Sequence, residues 1–202
     1  MRDKFVNISD HIDNIILEIR YYSTYNFVGK RIDGYKYPVA LLTKEAAESL
    51  KIVNEKLNKK GYCLKVYDAY RPSKSVDHFV RWAKDIDDIK MKDIFYPNVD
   101  NSKLFELGYI AKRSSHSRGS SVDVTLVDMK SGKELDMGSP FDYFSEMSHP
   151  SCKNISVEQY NNRKMLNYFM TSNGFIALDT EWWHYTLADE PYPDTYFDFD
   201  VE

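Results

Sequence analysis

A short Ser/Gly-rich loop that leads directly into an apolar strand constrains this chain more than any other feature. The run from Arg113 to Thr125 places His116 and Asp123 seven positions apart, with Gly119 between them. Glycine adopts backbone angles that other residues avoid, so the loop can fold the imidazole back towards the carboxylate. In an extended strand, Asp123 points away from the core-facing valines on either side of it. We expect a rigid polar site at the start of this strand.

A second polar run comes late in the chain, from Asp179 to Tyr185, and it holds Glu181 and His184. His116, Asp123 and His184 together offer two imidazoles and one carboxylate. Zinc accepts such a three-ligand set when its fourth position stays open for water. A single histidine is more often a surface residue or a satisfied core residue than a ligand. The joint pattern nevertheless predicts one zinc ion per chain at a hydrolytic site.

Glu181 is the candidate general base. A carboxylate near a metal-activated water can accept its proton as the water attacks a carbonyl carbon. In a flat strand, Glu181 and His184 would lie on opposite faces, so the site requires a bend or bulge near Trp182. The simpler alternative is an exposed glutamate beside two core tryptophans.

Arg71 is the third candidate chemical group, at the end of a predicted strand and before Pro72. A guanidinium at that point can stabilise the oxyanion that develops during peptide hydrolysis. The alternative is a strand-end salt bridge with Asp68. The sequence leaves both interpretations open.

Length and composition indicate one ordinary globular domain. The 202 residues are 43% hydrophobic and 29% charged, and no repeat or linker divides them. We therefore predict a single domain over residues 1–202. The two cysteines, Cys63 and Cys152, are not in a metal-binding or redox spacing, and two free thiols are the better expectation than a disulfide.

Charge and hydropathy exclude several classes of partner. A formal net charge of −4 argues against a general nucleic-acid binder, which needs a basic face. No run of about 18 apolar residues can span a membrane, and no secretory signal is evident, so we expect a cytoplasmic protein that does not bind membranes. The sequence leaves the oligomeric state open, a homo-oligomer included.

The first half of the chain predicts two helices around a strand. Apolar residues at three- and four-residue steps indicate a helix that is capped by Thr43 and stopped by Gly61. Alternating residues predict a strand over Tyr62–Ala69. A second amphipathic helix follows, with Ser73 as its cap. Residues 84–108 are charged and turn-rich, which predicts a long surface connection.

The second half predicts strands around one helix. Val122–Asp128 forms a strand that turns back at Ser131 and Gly132. Ser156 and Gln159 form a capping box for a third helix that ends at Gly174, and Trp182–Leu187 is a further strand. Strands and helices without strict alternation predict an α+β fold, in which helices pack mainly on one side of a central antiparallel sheet.

Three motifs resemble those of the D-alanyl-D-alanine dipeptidases, and more narrowly those of the VanX type associated with vancomycin resistance. They are Tyr67–Pro72, Ser114–Asp123 and Glu181–His184. The similarity extends over nearly the whole chain, including Phe95–Asn98 and the tail Asp189–Pro193. It implies a Hedgehog/D,D-peptidase-like fold, a small closed cavity and D-Ala-D-Ala as the substrate.

Functional residues follow from the same resemblance. It implies that His116, Asp123 and His184 bind zinc, that Glu181 is the base and that Arg71 stabilises the transition state. It also implies that removal of D-Ala-D-Ala lowers the supply of cell-wall precursors with the ending that vancomycin recognises.

A free dipeptide carries an ammonium and a carboxylate, so its pocket needs a partner for each charge. Tyr21 and Asp142 match family positions on the ammonium side, and Ser114 and Ser115 lie close enough in sequence to contribute. At Ser120-Ser121 the relatives often carry a small residue such as alanine.

Two alternatives to a strict dipeptidase stay open. The same metal site can serve a D,D-carboxypeptidase, or a bifunctional enzyme, that trims pentapeptide precursors. The Hedgehog signalling domain resembles this fold, so a zinc-bearing binding module without catalysis is a second alternative. The presence of both Glu181 and Arg71 beside the ligand set favours an enzyme.

Overall fold

The computed structural model describes residues 2–100, 103–104 and 106–202. Most of the strands and helices predicted from the sequence are present in it. The strands are β1 (Phe5–Asn7), β2 (Ile16–Leu17), β3 (Leu41–Thr43), β4 (Tyr62–Asp68), β5 (Ser121–Asp128), β6 (Lys133–Glu134), β7 (Phe175–Leu178) and β8 (Glu181–Leu187). The helices are α1 (Lys44–Asn58), α2 (Ser73–Ala83), α3 (Lys92–Phe95) and α4 (Val157–Thr171).

A mixed sheet with the order β2-β4-β5-β8-β7 lies at the centre of the fold, and β6 pairs with the far end of β5. The pairs from β4 to β7 are antiparallel, as the sequence predicts. One edge of the sheet departs from the predicted antiparallel arrangement, because β2 pairs with β4 in parallel. The long connection between these strands, which contains β3 and α1, provides the crossover that a parallel pair requires.

Strand β5 is buried on both faces. Val122, Val124 and Leu126 join the hydrophobic core that also contains the inward side chains of α1 and α4. These two helices contact each other and the sheet, which confirms the prediction of helices mainly on one side. On the other face Asp123 and Thr125 are also inaccessible to solvent. Other parts of the chain therefore cover this second face of the sheet. Because Asp123 points to it, the candidate site lies on this face.

Helix ends agree with the sequence at α1 and α4. Thr43 caps α1 by accepting a hydrogen bond from the Ala46 amide, and Ser156 and Gln159 form the complete capping box of α4. The prediction that Ser73 caps α2 is wrong. Pro72 occupies the cap position, and the Ser73 hydroxyl instead donates to the Phe197 carbonyl, 3.0 Å away, because the C-terminal tail runs along this end of the helix.

Residues 84–108 are not simply a surface connection. The segment forms α3, and it buries Phe95, Tyr96 and Leu104. Tyr96 contacts Trp82 edge-on, with ring centroids 5.5 Å apart, so the segment is anchored to α2 by aromatic packing. Positions 101, 102 and 105 of this predicted connection lie outside the described residues, as does Met1.

Two further expectations concern cysteines and membranes. Cys63 and Cys152 are both free, as the sequence predicts. In the part of the chain that the structure describes, no helix has the length and apolar character needed to cross a membrane.

Candidate metal centre and active site

Strand register brings the first two candidate ligands together. In the β5–β8 pair, Asp123 lies directly opposite His184. Directly opposed residues on neighbouring strands have Cβ atoms about 4.5–5.5 Å apart and point to the same face. Asp123 and His184 therefore face one another by virtue of the sheet itself.

A tight turn before β5 places the third ligand. His116 lies in a 3-10 turn, Ser115–Arg118, which Ser114 caps by accepting from the His116 amide. Gly119 ends the turn with a φ of 83°, and a Cβ there would lie 2.3 Å from the Phe5 ring. A side chain at this position would thus meet both backbone strain and a steric clash. The predicted need for glycine is confirmed.

The three side chains converge on one point. His116 Nε2 lies 3.1 Å from His184 Nδ1 and 3.3 Å from Asp123 Oδ1, and the latter two atoms are 3.0 Å apart. All three residues are buried, and these atoms form the candidate metal-ion ligand set among the described residues. Tetrahedral zinc with bonds of about 2.0–2.1 Å separates its ligand atoms by about 3.3–3.5 Å. The triangle therefore fits a divalent ion after small movements.

Hydrogen bonds on the far side of each imidazole orient the rings. His116 Nδ1 lies 2.6 Å from the Ala69 carbonyl, to which it can only donate. That bond leaves His116 Nε2 as a free lone pair. His184 Nε2 lies 3.2 Å from the hydroxyls of Ser115 and Thr186, so a proton on Nε2 leaves Nδ1 free in the same way. Metal-binding histidines are held by such outer hydrogen bonds.

The electrostatics of the triangle favour positive charge. Burial by itself raises the pKa of Asp123, but the facing histidines outweigh it and the net pKa is lowered. Burial by itself lowers the pKa of His184, yet the hydrogen bond and charge of Asp123 raise it overall. Both directions reflect the negative charge of Asp123 beside the two imidazoles, and the same charge would attract a divalent ion.

The predicted bend near Trp182 is present as an irregularity in the β7–β8 pair. Ala177 pairs with Tyr185, but the next residue, Leu178, pairs with Glu181, so β8 carries extra residues between these two points. The bulge turns Glu181 towards His184, and its Oε2 lies 3.9 Å from His184 Nδ1. Burial in the pocket, together with the charge of Asp123, raises the pKa of Glu181.

Arg71 lies beside the triangle and makes a salt bridge with Asp68, which is one of the two interpretations that the sequence allows. Its Nε and Nη2 each lie 2.8 Å from Asp68 Oδ2, and Nη2 is 3.6 Å from Asp123 Oδ2. Asp68 in turn accepts a hydrogen bond from the Tyr35 hydroxyl. The guanidinium is therefore held at the wall of the pocket, between the metal-ligand triangle and the ring of Tyr21.

A cavity of about 220 Å³ opens over the triangle. All nine residues that the sequence singles out line it: Tyr21, Arg71, Ser114, Ser115, His116, Asp123, Asp142, Glu181 and His184. The volume is small compared with the roughly 300–1,000 Å³ of drug-sized pockets. The structure thus brings the candidates together, while their individual roles stay predictions.

Tyr21 and Asp142 form a buried pair in this cavity. The Tyr21 hydroxyl donates to Asp142 Oδ2 over 2.9 Å. Asp142 has a φ of 59°, which is uncommon for a residue other than glycine. Burial raises its pKa well above the usual value, and the negative charge of Asp123 adds to the shift. The pair forms an acidic corner of the cavity, in which burial disfavours the ionised form of Asp142. A cation beside the carboxylate would stabilise that ionised form.

Several groups that support the site were not predicted from the sequence. Tyr35 and the Ala69 carbonyl are held near the site only by the tertiary fold, so no local pattern points to them. Thr186 had a signal, because it lies two residues after His184 and shares its strand face. The pocket wall from Gly108 to Arg113 lay inside or beside the segment that we expected to be a surface connection.

The fold and the site together define a metal-dependent hydrolase: a buried His/Asp/His set lies beside a glutamate and an arginine in a small cavity. A family model described as "D-ala-D-ala dipeptidase" matches residues 1–202, and the chain belongs to this family of metallopeptidases.

Curated relatives agree over their full length. A D-alanyl-D-alanine dipeptidase of Enterococcus faecium is 42% identical over 195 residues, which cover 95% of this chain and 96% of the relative. One of Enterococcus faecalis is 40% identical over 201 residues and covers 100% of both chains. Another, of Streptomyces coelicolor, is 36% identical over 201 residues with the same coverage.

Proposed function

We propose that this chain hydrolyses the dipeptide D-Ala-D-Ala to two molecules of D-alanine and that it uses one zinc ion held by His116, Asp123 and His184. The observation that carries the proposal is the convergence of three ligand atoms within 3.3 Å of one another, beneath a small cavity that Glu181 and Arg71 also line. The names of the relatives supply the substrate, and the donor set supplies the choice of metal.

Glu181 is the proposed proton carrier. When bound, the zinc ion acidifies water and polarises the scissile carbonyl. Glu181 accepts the proton of the attacking water and then delivers a proton to the nitrogen of the leaving D-alanine. A raised pKa suits both halves of this task, because the group must hold the proton between the two steps.

Arg71 is the proposed oxyanion partner. Its bonds to Asp68 use Nε and Nη2, and the side chain lines the cavity above the triangle. Buried ion pairing keeps the guanidinium in place without reorganisation when negative charge develops on the former carbonyl oxygen. Asp68 and Tyr35 thereby act as its support.

Asp142 and Tyr21 are the proposed partners of the substrate ammonium. An ammonium beside the buried carboxylate would favour its charged form and offset the cost of burying it. Ser114 and Ser115 line the same cavity, but their hydroxyls also contact the His116 amide and the His184 ring. We therefore assign them a positioning role as well as a contact with substrate.

The size of the cavity favours a free dipeptide over a longer peptide. At about 220 Å³, with a buried acidic corner at one side, it offers an ammonium partner where a pentapeptide would continue as an amide. The cavity and its acidic corner therefore favour a dipeptidase over a D,D-carboxypeptidase or a bifunctional enzyme. Glu181 and Arg71 favour an enzyme over a binding module, which would need neither residue.

The proposed physiological role follows the family resemblance. Removal of cytoplasmic D-Ala-D-Ala would deprive wall synthesis of the ending that vancomycin recognises. A link to vancomycin resistance and action in the cytoplasm are both parts of this proposal.

Release of D-alanine from purified protein tests the function. We expect rapid zinc-dependent cleavage of D-Ala-D-Ala, at least about 100-fold slower cleavage of a pentapeptide ending in D-Ala-D-Ala, and a loss of up to about 10⁴-fold in the Glu181→Gln variant. Equal turnover of the two substrates would contradict dipeptidase specificity. Absence of cleavage in the zinc-loaded wild type would contradict the enzyme assignment.

A further inference from the structure

A buried arginine on α4 has no part in the proposed chemistry, yet it makes an unusual set of hydrogen bonds. Arg163 is 3% exposed, and its guanidinium donates to three backbone carbonyls. They belong to Met137, Met147 and His149, at distances of 2.5, 2.8 and 2.9 Å. A buried cation is costly unless hydrogen bonds compensate it, and here the backbone of one loop supplies them.

The three carbonyls lie at the two ends of that loop. It comprises residues 137–149 and follows β6, and we term it the Asp142 loop. Met137 begins the loop, while Met147 and His149 end it, so a single side chain holds both ends together. The planar fork of an arginine can bind carbonyls on several sides at once, whereas the ammonium of a lysine is a compact point charge.

Ser139 ties the same loop to strand β8. The Trp182 indole Nε1 donates to the Ser139 hydroxyl over 3.0 Å, and Arg163 Nη2 lies 3.4 Å from the same oxygen. The guanidinium also lies over the Trp182 ring, 5.9 Å from its centroid. Because Trp182 follows Glu181 directly, these contacts fix the loop against the strand that carries the proposed base.

Asp142 lies near the middle of the loop in a conformation that needs support. Its φ is 59°, and residues other than glycine keep such a conformation only where the surrounding structure holds them in it. Its carboxylate accepts a hydrogen bond from Tyr21 in the active-site cavity. Arg163 is not among the described residues that line this cavity, so its influence on a substrate must pass through the loop.

We propose that Arg163 is a positioning residue, which holds the Asp142 carboxylate where the ammonium of the substrate binds. It thereby sets the preference for peptides with a free N-terminal ammonium and leaves the rate of bond cleavage unchanged. The proposal rests on the role proposed above for Asp142. It adds a residue on the far side of the loop that determines substrate selectivity without contact with the substrate.

Kinetics of an Arg163→Lys variant test this role in the zinc-loaded full chain. The variant keeps the charge and loses the fork, so Asp142 should no longer meet the ammonium correctly. We expect KM for D-Ala-D-Ala to rise about tenfold, as for the loss of one charged hydrogen bond, with kcat within about twofold. The preference for D-Ala-D-Ala over N-acetyl-D-Ala-D-Ala should fall by the same factor. Arg81→Lys, at an exposed arginine of α2, is the matched control and should change neither.

A double-mutant cycle separates positioning from a general structural role. In an Asp142→Asn background, Arg163→Lys should raise KM by less than about twofold further, because its effect acts through the carboxylate that is already gone. Ser139→Ala removes one hydroxyl from the same contacts and should raise KM about threefold with the same dependence on Asp142. This milder variant carries the test if Arg163→Lys does not fold.

The position of the carboxylate can also be followed without activity. The side-chain carboxyl ¹³C NMR signal of Asp142, assigned by its absence in Asp142→Asn, should move in Arg163→Lys and stay in place in Arg81→Lys. An unmoved signal, a fall in kcat at constant KM, or independent effects of the two substitutions in the cycle would overturn the proposal. Absence of cleavage by the wild type would contradict the proposed function alone, since the carboxyl signal still reports whether Arg163 positions Asp142.

Discussion

Two charged clusters lie on the same face of the central sheet and differ in how their charges are satisfied. The first, which we term the Lys65 cluster, consists of Glu18, Lys65, Tyr67 and Glu134. There Lys65 Nζ lies 2.6 Å from a carboxylate oxygen of each glutamate, and the Tyr67 hydroxyl donates to Glu134. The second, the site cluster, consists of Asp68, Arg71, His116, Asp123 and His184.

The comparison shows what distinguishes a binding site from a structural ion-pair network. In the Lys65 cluster each acceptor meets a donor, and the glutamates keep part of their surface in water. In the site cluster three acceptor atoms face one another within 3.3 Å, once the ring protons are held on the far sides of both imidazoles. In that protonation state a cation between the acceptors would stabilise the arrangement.

Replacement of the proposed base should have the largest effect. Glu181→Gln is expected to lower kcat by up to about 10⁴-fold, because an amide cannot accept the proton of the attacking water, while zinc stays bound. Steady-state kinetics with elemental analysis would measure both. Asp179→Asn, an exposed acid two residues away, is the control and should be fully active. Retained turnover in Glu181→Gln would remove Glu181 from this role.

Arg71→Ala should rank next, with a loss of about 100- to 1,000-fold in kcat, as for the loss of a single oxyanion donor. The exposed Arg81→Ala on α2 serves as the comparison. If Arg71 were only a structural partner of Asp68, as in the Lys65 cluster, the variant would lose stability but keep its rate once folded. Thermal unfolding recorded beside the kinetics separates these two outcomes.

The acidic corner should affect substrate binding more than the chemical step. Asp142→Asn keeps a side chain that tolerates the positive φ but removes the charge. We expect KM to rise about 10- to 100-fold with a smaller change in kcat, from the loss of one charged hydrogen bond. Tyr21→Phe should raise KM less. A fall in kcat at constant KM would place Asp142 in the chemistry instead.

The Lys65 cluster should show the smallest effect, and one that depends on pH. Burial alone raises the pKa of Glu134, but its hydrogen bonds to Lys65 and Tyr67 outweigh this and lower the net pKa. Its contribution to stability is therefore present above the unfolded carboxyl pKa and is lost as the pH falls through the lowered folded value.

Glu134→Gln should accordingly destabilise the fold by less than about 1 kcal/mol at pH 7 and by still less near pH 4. Urea unfolding of both proteins at the two pH values would measure this difference, and the exposed Glu106→Gln is the control. A penalty that grows as the pH falls would contradict the assignment of the pair.

Local chemistry made much of the site predictable. Gly119 and the residues around it identify the turn that holds His116, and strand alternation places Asp123 on a polar face. The requirement for a bend at Trp182 followed from the spacing of Glu181 and His184, and the bulge in β8 confirms it. In each case the information lies within a few residues of the group concerned.

The remainder depends on contacts between distant parts of the chain. The parallel edge strand β2, the support of Arg71 by Tyr35 and the burial of Tyr96 all arise from packing partners far away in sequence. Ser73 illustrates the same limit. Its hydroxyl donates to the carbonyl of distant Phe197, and Pro72 occupies the cap position of α2.

Metal content tests the central claim most directly. Elemental analysis of the purified wild type is predicted to give one zinc per chain, and His116→Ala, Asp123→Ala and His184→Ala should each lose most of it while Glu134→Gln keeps it. Stoichiometric zinc in all three ligand variants, or a fully active wild type without any divalent metal, would contradict the account.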